Sequence, residues 1–69
     1  MAHPHNWERD KRSFANCLKE WAASRGSRQL AADDLRVPLT TLHGWCAGRA
    51  CDREATVRRL MTLTDAVNI

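Results

Sequence analysis

The chain has 69 residues, a formal net charge of +3 and a pI near 9.1, which limits it to one small domain, residues 1–69. Hydrophobic residues make up 43% and charged residues 28%, a balance typical of a folded domain rather than a disordered tail. The apolar runs are too short to span a membrane, and the N-terminal residues lack the apolar segment of a secretory signal. We therefore expect a cytoplasmic protein.

The cysteine and arginine contents indicate the redox state of the thiols and the kind of binding partner. Three cysteines, an odd number, do not form the paired framework of a small secreted domain, so reduced thiols are expected. Arginine supplies nine of the eleven basic residues. Because the planar guanidinium binds phosphate and carboxylate groups well, this bias favours an anionic partner. Ordinary solubilisation of the surface is the alternative.

The first predicted helix runs from about Trp7 to Ser24, since apolar residues recur there at helical spacing and no segment alternates with the period of a strand. Asn6 is its expected N-cap, and Gly26 lies just beyond its end. Residues 1–6 are expected to be flexible. The apolar stripe of this helix consists of Trp7, Phe14, Leu18, Trp21 and Ala22.

Three further helices are predicted. The second covers residues 28–36 after a Ser27 cap, and the third covers residues 38–47, with Pro38 in its first turn and Gly48 at its end. The fourth covers residues 54–67, and its inward residues are Val57, Leu60, Met61 and either Leu63 or Thr64. The sequence thus predicts a compact all-α domain of four helices, with the terminal "DAVNI" as at most a short fifth.

The segment "SRQLAADDLRVPLTTLHGWCAGR" resembles the helix-turn-helix of the Cro/lambda-repressor-like (XRE) family, with the motif at about residues 28–47. Ala32 matches the position where the two helices approach closely, and Leu42 and Trp45 match those that pack the second helix onto the domain. Arg36 stands where the family often has glycine, because the backbone at this turn tends toward positive φ. The resemblance extends over roughly residues 14–65.

The resemblance implies that the third helix is a recognition helix lying in the major groove of DNA. Leu39 would touch thymine methyl groups, and Thr40 a base or a phosphate. His43 would hydrogen-bond a guanine N7 or a phosphate, and Gly44 would let the helix approach the groove closely. This face carries no Arg, Lys, Asn or Gln, so direct readout of the bases is expected to be weak.

Phosphate contacts are expected around this helix. The matching positions are Arg28, Gln29, Arg36, Ala47, Arg49 and Arg53. Arg58 and Arg59 are expected to be solvated, or paired with Glu54 and with the adjacent Asp33 and Asp34. Four basic residues of the first predicted helix are expected only to keep the protein soluble: Arg9, Lys11, Arg12 and Lys19.

The resemblance therefore implies a sequence-specific DNA-binding transcriptional regulator, in most cases a repressor, that binds a palindromic operator in double-stranded DNA as a homodimer. No cofactor, metal, membrane or small-molecule ligand is expected, and DNA binding would associate the protein with the nucleoid. The dimer contact is expected to involve Leu63, Ala66, Val67 and Ile69. Trp7 is a second candidate, and packing of these residues onto their own monomer is the alternative.

Other functions find less support in the sequence. The same scaffold could present Leu39 and His43 to a polymerase subunit or a repressor, as a protein-interaction module. His43, Cys46 and Cys51 are spaced somewhat like zinc ligands, but no fourth ligand stands out. A Cys46–Cys51 disulfide is disfavoured in a reducing compartment. Catalysis is not expected, because a chain of this size has little room for a substrate pocket.

Overall fold

The computed structural model describes residues 5–67, and this part of the chain folds into four α-helices without a β-strand. The helices are α1 (Phe14–Arg25), α2 (Arg28–Leu35), α3 (Leu39–Cys46) and α4 (Glu54–Val67). The predicted all-α fold is confirmed. Residues 65–67, considered above for a short fifth helix, continue α4. Asn68 and Ile69 lie outside the described residues, and none of the described helices is long and apolar enough to cross a membrane.

Local signals fix the ends of the helices. The Ser27 hydroxyl accepts the N–H of Leu30 and caps α2. Pro38 occupies the N-cap of α3, where its missing N–H costs nothing. Gly26 and Gly48 follow α1 and α3 with φ of 109° and 106°, a conformation that glycine adopts without strain. The predicted bounds of the last three helices are therefore correct to within one residue.

One hydrophobic core lies between the helices. α1 packs on both α2 and α3, and α2 also contacts α4. The largest fully buried side chains are Trp21, Leu18, Leu42, Met61 and Cys17. The small residues Ala31 and Ala32 are completely buried, which lets α2 approach its neighbours closely. Leu60, predicted to point inward, is partly exposed, and Leu63, one of the two alternatives for the last inward position, is about half exposed, whereas Thr64 is half-buried.

The predicted start of the first helix is wrong, because α1 begins seven residues later than expected. Ser13 caps it by accepting the N–H of Asn16. Asn6, the predicted cap, accepts the N–H groups of Glu8 and Arg9 and closes a local turn instead. His5 and Asn6, expected to be flexible, both make hydrogen bonds. Residues 1–4 lie outside the described residues.

Trp7 lies in this turn and packs against α4. Its backbone N–H donates to Thr62 Oγ1 at 3.0 Å, and its indole N–H donates to Asp65 Oδ2 at 2.7 Å. The Asp65 carboxylate also accepts the indole N–H of Trp21 at 3.1 Å. Trp7 is only 4% exposed, so it is a core residue of its own monomer. The expectation that Trp7 could form the dimer contact is wrong for this reason.

Arg58 holds the segment of residues 5–13, the N-terminal segment, onto α4. Its guanidinium is buried and donates to the carbonyl oxygens of Trp7, Asp10 and Arg12 at 2.9, 3.1 and 3.0 Å. It also pairs with Glu54 at 3.2 Å, as one of the predicted alternatives proposed. The other alternative, a solvated Arg58, is wrong, because the backbone carbonyls of the N-terminal segment replace water around it.

Candidate nucleic-acid interface

Helix α3 divides into a buried and an outer face. Leu42, Trp45 and Cys46 are buried against the rest of the domain. Thr40 and His43 are exposed, and Gly44 is half-buried. No residue of this helix carries a fixed charge, so its outer face offers hydroxyl, imidazole and apolar groups. The division follows helical periodicity and agrees with the predicted reading positions.

Leu39 is the exception among those positions. It is partly buried and packs against the hydrophobic core, as does Val37 in the preceding turn. Only part of the Leu39 side chain is therefore available for an apolar contact with another molecule. Pro38, Thr40 and His43 are more accessible from solvent.

Arg36 forms the turn between α2 and α3. It adopts the left-handed conformation, with φ of 58° and ψ of 43°, as expected for a position often occupied by glycine. Its backbone N–H donates to the carbonyl of Asp33, and the N–H of Val37 donates to that of Ala32. These bonds satisfy the last carbonyls of α2. The side chain of Arg36 is exposed three residues before α3 begins.

Arg28 and Gln29 open α2, but their side chains have different surroundings. Arg28 reaches across to α3, where its Nη1 lies 2.8 Å from His43 Nδ1. Gln29 instead donates its amide N–H to Asp33 one turn further along α2, at 3.0 Å. The structure therefore brings Arg28 onto the outer face of α3 and holds Gln29 against its own helix.

Arg49 lies at the other end of α3 and covers Gly44. Its backbone N–H donates to the carbonyl of Gly44 at 2.9 Å. A Cβ added at Gly44 would stand 3.4 Å from Arg49 Cδ, an ordinary van der Waals contact with a flexible side chain. Packing inside the domain therefore does not require glycine here, and the close approach to a groove stays the predicted reason for it.

Ala47 and Arg53 complete the predicted phosphate-binding set. Ala47 is exposed, but its N–H already donates to the carbonyls of His43 and Gly44. Since an alanine side chain has no donor either, Ala47 has none to offer a phosphate. Arg53 is exposed immediately before α4, where its carbonyl accepts the N–H of Val57.

The carboxylates of the domain are distributed unevenly among its arginines. Arg12 pairs with Asp10 and Glu20, Arg25 pairs with Asp34, and Arg58 pairs with Glu54. Among the described residues, no carboxylate oxygen lies within 4.0 Å of the four exposed arginines Arg28, Arg36, Arg49 and Arg53. Their positive charges therefore remain uncompensated around the uncharged α3. Other basic residues without such a partner, for example Lys11 and Arg59, lie in the N-terminal segment and on α4.

Burial raises the pKa of the Cys46 thiol, and the positive charges of Arg28 and Lys19 oppose this rise. Lys19 is exposed on α1, and the solubilising role that the sequence indicates for it stays a prediction.

The cysteines do not form a site with His43. Cys17 and Cys46 are buried and Cys51 is half-buried, and all three are free thiols, so the alternative disulfide is not formed. Burial also raises the pKa of the Cys17 thiol. Across residues 5–67, no group of three or more His, Cys, Asp or Glu side chains is placed to hold a metal ion.

A second surface lies on α4, the helix that follows α3 in the chain. Leu60, Leu63 and Val67 are 37%, 53% and 84% exposed and follow one another at helical spacing. We call these three residues the α4 stripe. Together with Asp34 and Thr64 they line a shallow groove between α2 and α4. Ala66, also predicted in the dimer contact, is exposed, and Ile69 lies outside the described residues.

A cleft of about 650 Å³ lies between the N-terminal segment and the start of α4. Its charged side chains include Asp10, Arg12, Glu54 and Arg58, which are the groups already paired inside the domain. In the described part of the chain, every buried side-chain nitrogen and oxygen has a hydrogen-bond partner. This cleft therefore leaves no buried polar group aimed at a ligand.

Comparison of the chain with known protein families, with curated proteins and with solved structures finds no match.

Proposed function

We propose that the protein is a sequence-specific DNA-binding transcriptional regulator, of the repressor type, in which α2 and α3 act as a helix-turn-helix of the XRE kind. One observation carries the proposal. An uncharged helix with exposed hydrogen-bonding groups is bordered by the exposed arginines Arg28, Arg36 and Arg49, which, like Arg53 further along the chain, have no carboxylate partner among the described residues. That arrangement suits a helix that enters a groove between two rows of phosphates.

The dimensions agree with this mode of binding. An α-helix with its side chains is about 10–12 Å in diameter, and the major groove of B-form DNA is about 12 Å wide, so that α3 can enter the groove. With α3 in the groove, Thr40 and His43 would face the edges of the bases. Arg28, Arg36 and Arg49 border α3 and would meet the sugar–phosphate backbone, with Arg53 further along the chain.

A protein partner fits the outer face of α3 less well. Interfaces between proteins are enriched in aromatic residues and methionine at their centre. Here Phe14 and all three tryptophans are buried in the core, and the accessible residues of α3 are small or polar. DNA is therefore the better candidate for this face, and the function proposed is binding without catalysis.

The regulator acts as a homodimer in this proposal. Two copies of a two-fold dimer read two half-sites, which compensates for the few base contacts that one short helix can make. The α4 stripe supports this part of the proposal, because it exposes three large apolar side chains on one face of a helix. It also lies on a different helix from the outer face of α3, so that the stripe can be covered while α3 is in the groove.

The experiment for DNA binding is a selection from a pool of random short duplexes at two salt concentrations, followed by sequencing. We expect enrichment of a palindrome, and a log–log dependence of affinity on salt with a slope of about −4 per subunit, because four arginines would each neutralise a phosphate. Arg49→Ala should reduce the slope by about 1, whereas Lys11→Ala in the N-terminal segment should leave it unchanged. Retention without any dependence on salt or sequence would contradict the proposal.

The dimer is tested separately by Leu63→Glu, with Thr56→Glu on the exposed part of α4 as the matched control. We expect the wild-type chain to sediment as a dimer and Leu63→Glu as a monomer that still folds, since Leu63 is half exposed. Its affinity for a palindromic duplex should fall at least about tenfold, as one half-site is lost for each duplex. A wild-type monomer at micromolar concentration would show that this part of the proposal is wrong.

A further inference from the structure

The contact between Arg28 and His43 joins two residues for which the sequence predicted separate roles. Arg28 is the first residue of α2, and His43 lies in the second turn of α3, yet Arg28 Nη1 and His43 Nδ1 are 2.8 Å apart. Both residues are exposed. The contact brings a guanidinium group onto the outer face of a helix that has no charged residue of its own.

The direction of this hydrogen bond follows from the chemistry of the two side chains. Arginine has five N–H donors and no acceptor. His43 Nδ1 must therefore accept, which fixes the imidazole as the neutral form with its hydrogen on Nε2. One N–H of Arg28 is used in this bond and four remain. The guanidinium is held in one orientation while it keeps most of its donors.

We propose that Arg28 reads a guanine in the major groove and that His43 is the positioning residue that holds it there. This inference rests on the proposed DNA-binding function. It replaces the phosphate contact proposed above for Arg28, so that three arginines remain on phosphates and the expected salt slope becomes about −3 per subunit. It also gives the outer face of α3 the strong base-reading group that α3 itself lacks.

Guanine is the base that this arrangement selects. Its major-groove edge carries two acceptors, N7 and O6, which match two parallel N–H donors of a guanidinium. Adenine offers one acceptor beside a donor, cytosine offers a donor, and thymine offers one acceptor beside a methyl group. Two parallel N–H donors therefore find two acceptors only on guanine.

The test uses the selected palindrome and replaces each guanine of a half-site in turn by 7-deazaguanine, which lacks the N7 acceptor. We expect wild-type affinity to fall about fivefold to tenfold at one guanine position and to change little at the others. Arg28→Ala should bind the guanine and 7-deazaguanine duplexes equally well at that position. Arg53→Ala, the matched control, should bind more weakly but keep the full ratio between them.

His43 is tested by two substitutions that differ in their ability to accept a hydrogen bond. His43→Ala should lose most of the guanine preference while the salt slope stays as in the wild type. His43→Asn keeps an acceptor oxygen near the position of Nδ1 and should recover part of the preference. A purely structural role would not produce this recovery, and circular dichroism checks that both variants fold.

The outcomes separate this inference from the function on which it rests. If Arg28→Ala weakens binding equally for all sequences and reduces the salt slope by about 1, Arg28 contacts a phosphate and the inference is wrong, although DNA binding stands. The same holds if no guanine position is sensitive to the loss of N7. If the wild-type chain shows no salt-dependent binding to DNA, both proposals are wrong.

Discussion

Arg58 and Arg28 carry the same side chain in opposite surroundings. Arg58 is buried, and its donors meet three carbonyl oxygens of the N-terminal segment and the carboxylate of Glu54. Arg28 is exposed, and its hydrogen bond to the rest of the domain goes to a neutral imidazole. The fold thus uses the donors of Arg58 inside the domain and leaves most donors of Arg28 accessible to solvent.

The difference shows what decides the role of an arginine in a chain this small. A guanidinium whose donors are satisfied inside the domain stabilises the fold, because removing it would leave buried acceptors without a partner. A guanidinium with unused donors and no nearby carboxylate attracts an external anion. Composition alone cannot separate the two groups, since all nine arginines look alike until the carboxylates and carbonyls around them are placed.

Among the substitutions that test the contrast between Arg58 and Arg28, Arg58→Ala is expected to change the free energy of unfolding most. The substitution leaves the carbonyls of Trp7, Asp10 and Arg12 without their donor and should lower the free energy of unfolding by about 3 kcal/mol. For a domain of this size that is a large part of the total stability. Urea unfolding at low temperature, followed by tryptophan fluorescence, measures the change.

Arg59→Ala provides the control, because Arg59 is the exposed neighbour on the same helix. Its effect on the free energy of unfolding should stay within about 0.5 kcal/mol. Equal, small effects at both positions would mean that Arg58 is solvated, as one of the sequence-based alternatives held. A larger effect at Arg59 would contradict the assignment of Arg58 as the buried arginine.

The sequence predicted the four helices well because their signals are local. Ser27, Pro38 and Gly48 act within one turn of the chain, and the buried residues of α2 and α3 recur at helical spacing. The start of α1 was predicted wrongly because Trp7 fits the phase of the apolar stripe. Its true partners, Thr62 and Asp65, lie more than 50 residues away and could not be identified from local pattern.

For the candidate site, too, the sequence predicted local features and not contacts between helices. Exposure of Thr40 and His43 follows from helical periodicity and was predicted. The contact between Arg28 and His43 depends on how the helices cross, which no local spacing encodes. The same holds for the packing of Arg49 over Gly44 and for the electrostatic effect of Lys19 on the Cys46 thiol. Sequence therefore identified the face, and only the fold related its residues to one another.

Substitution of Arg36 is expected to have two smaller effects of opposite sign. One is a gain in the free energy of unfolding, and the other is a loss of affinity for DNA. Arg36 holds a left-handed conformation that costs a residue with a Cβ about 1 kcal/mol. Arg36→Gly should therefore raise the free energy of unfolding by about 1 kcal/mol while it weakens DNA binding through loss of a positive charge. Arg36→Ala separates the two effects, since it removes the charge and keeps the strain. It should weaken DNA binding as Arg36→Gly does, without the gain in stability.

The smallest effect on the free energy of unfolding is expected for Asp10→Asn in the N-terminal segment. The partner of Asp10, Arg12, is about half exposed, and water screens their attraction. Arg12 holds the pKa of the Asp10 carboxyl well below its usual range, mainly through the side-chain hydrogen bond between them. The charged form therefore stabilises the folded state at any pH above the pKa of an unfolded aspartate, about 3.9. The difference in stability between the wild type and Asp10→Asn should not decrease between pH 7 and about 5. Below about pH 4 it should shrink, as protons bind Asp10 in the unfolded chain before the folded one. Urea midpoints measured across this range, with the exposed Asp52→Asn as control, give the comparison, and a difference that grows below about pH 4 would contradict the depressed pKa. Since Asp10 pairs with Arg12 and not with an arginine of the proposed DNA interface, Asp10→Asn should leave the salt slope of DNA binding unchanged.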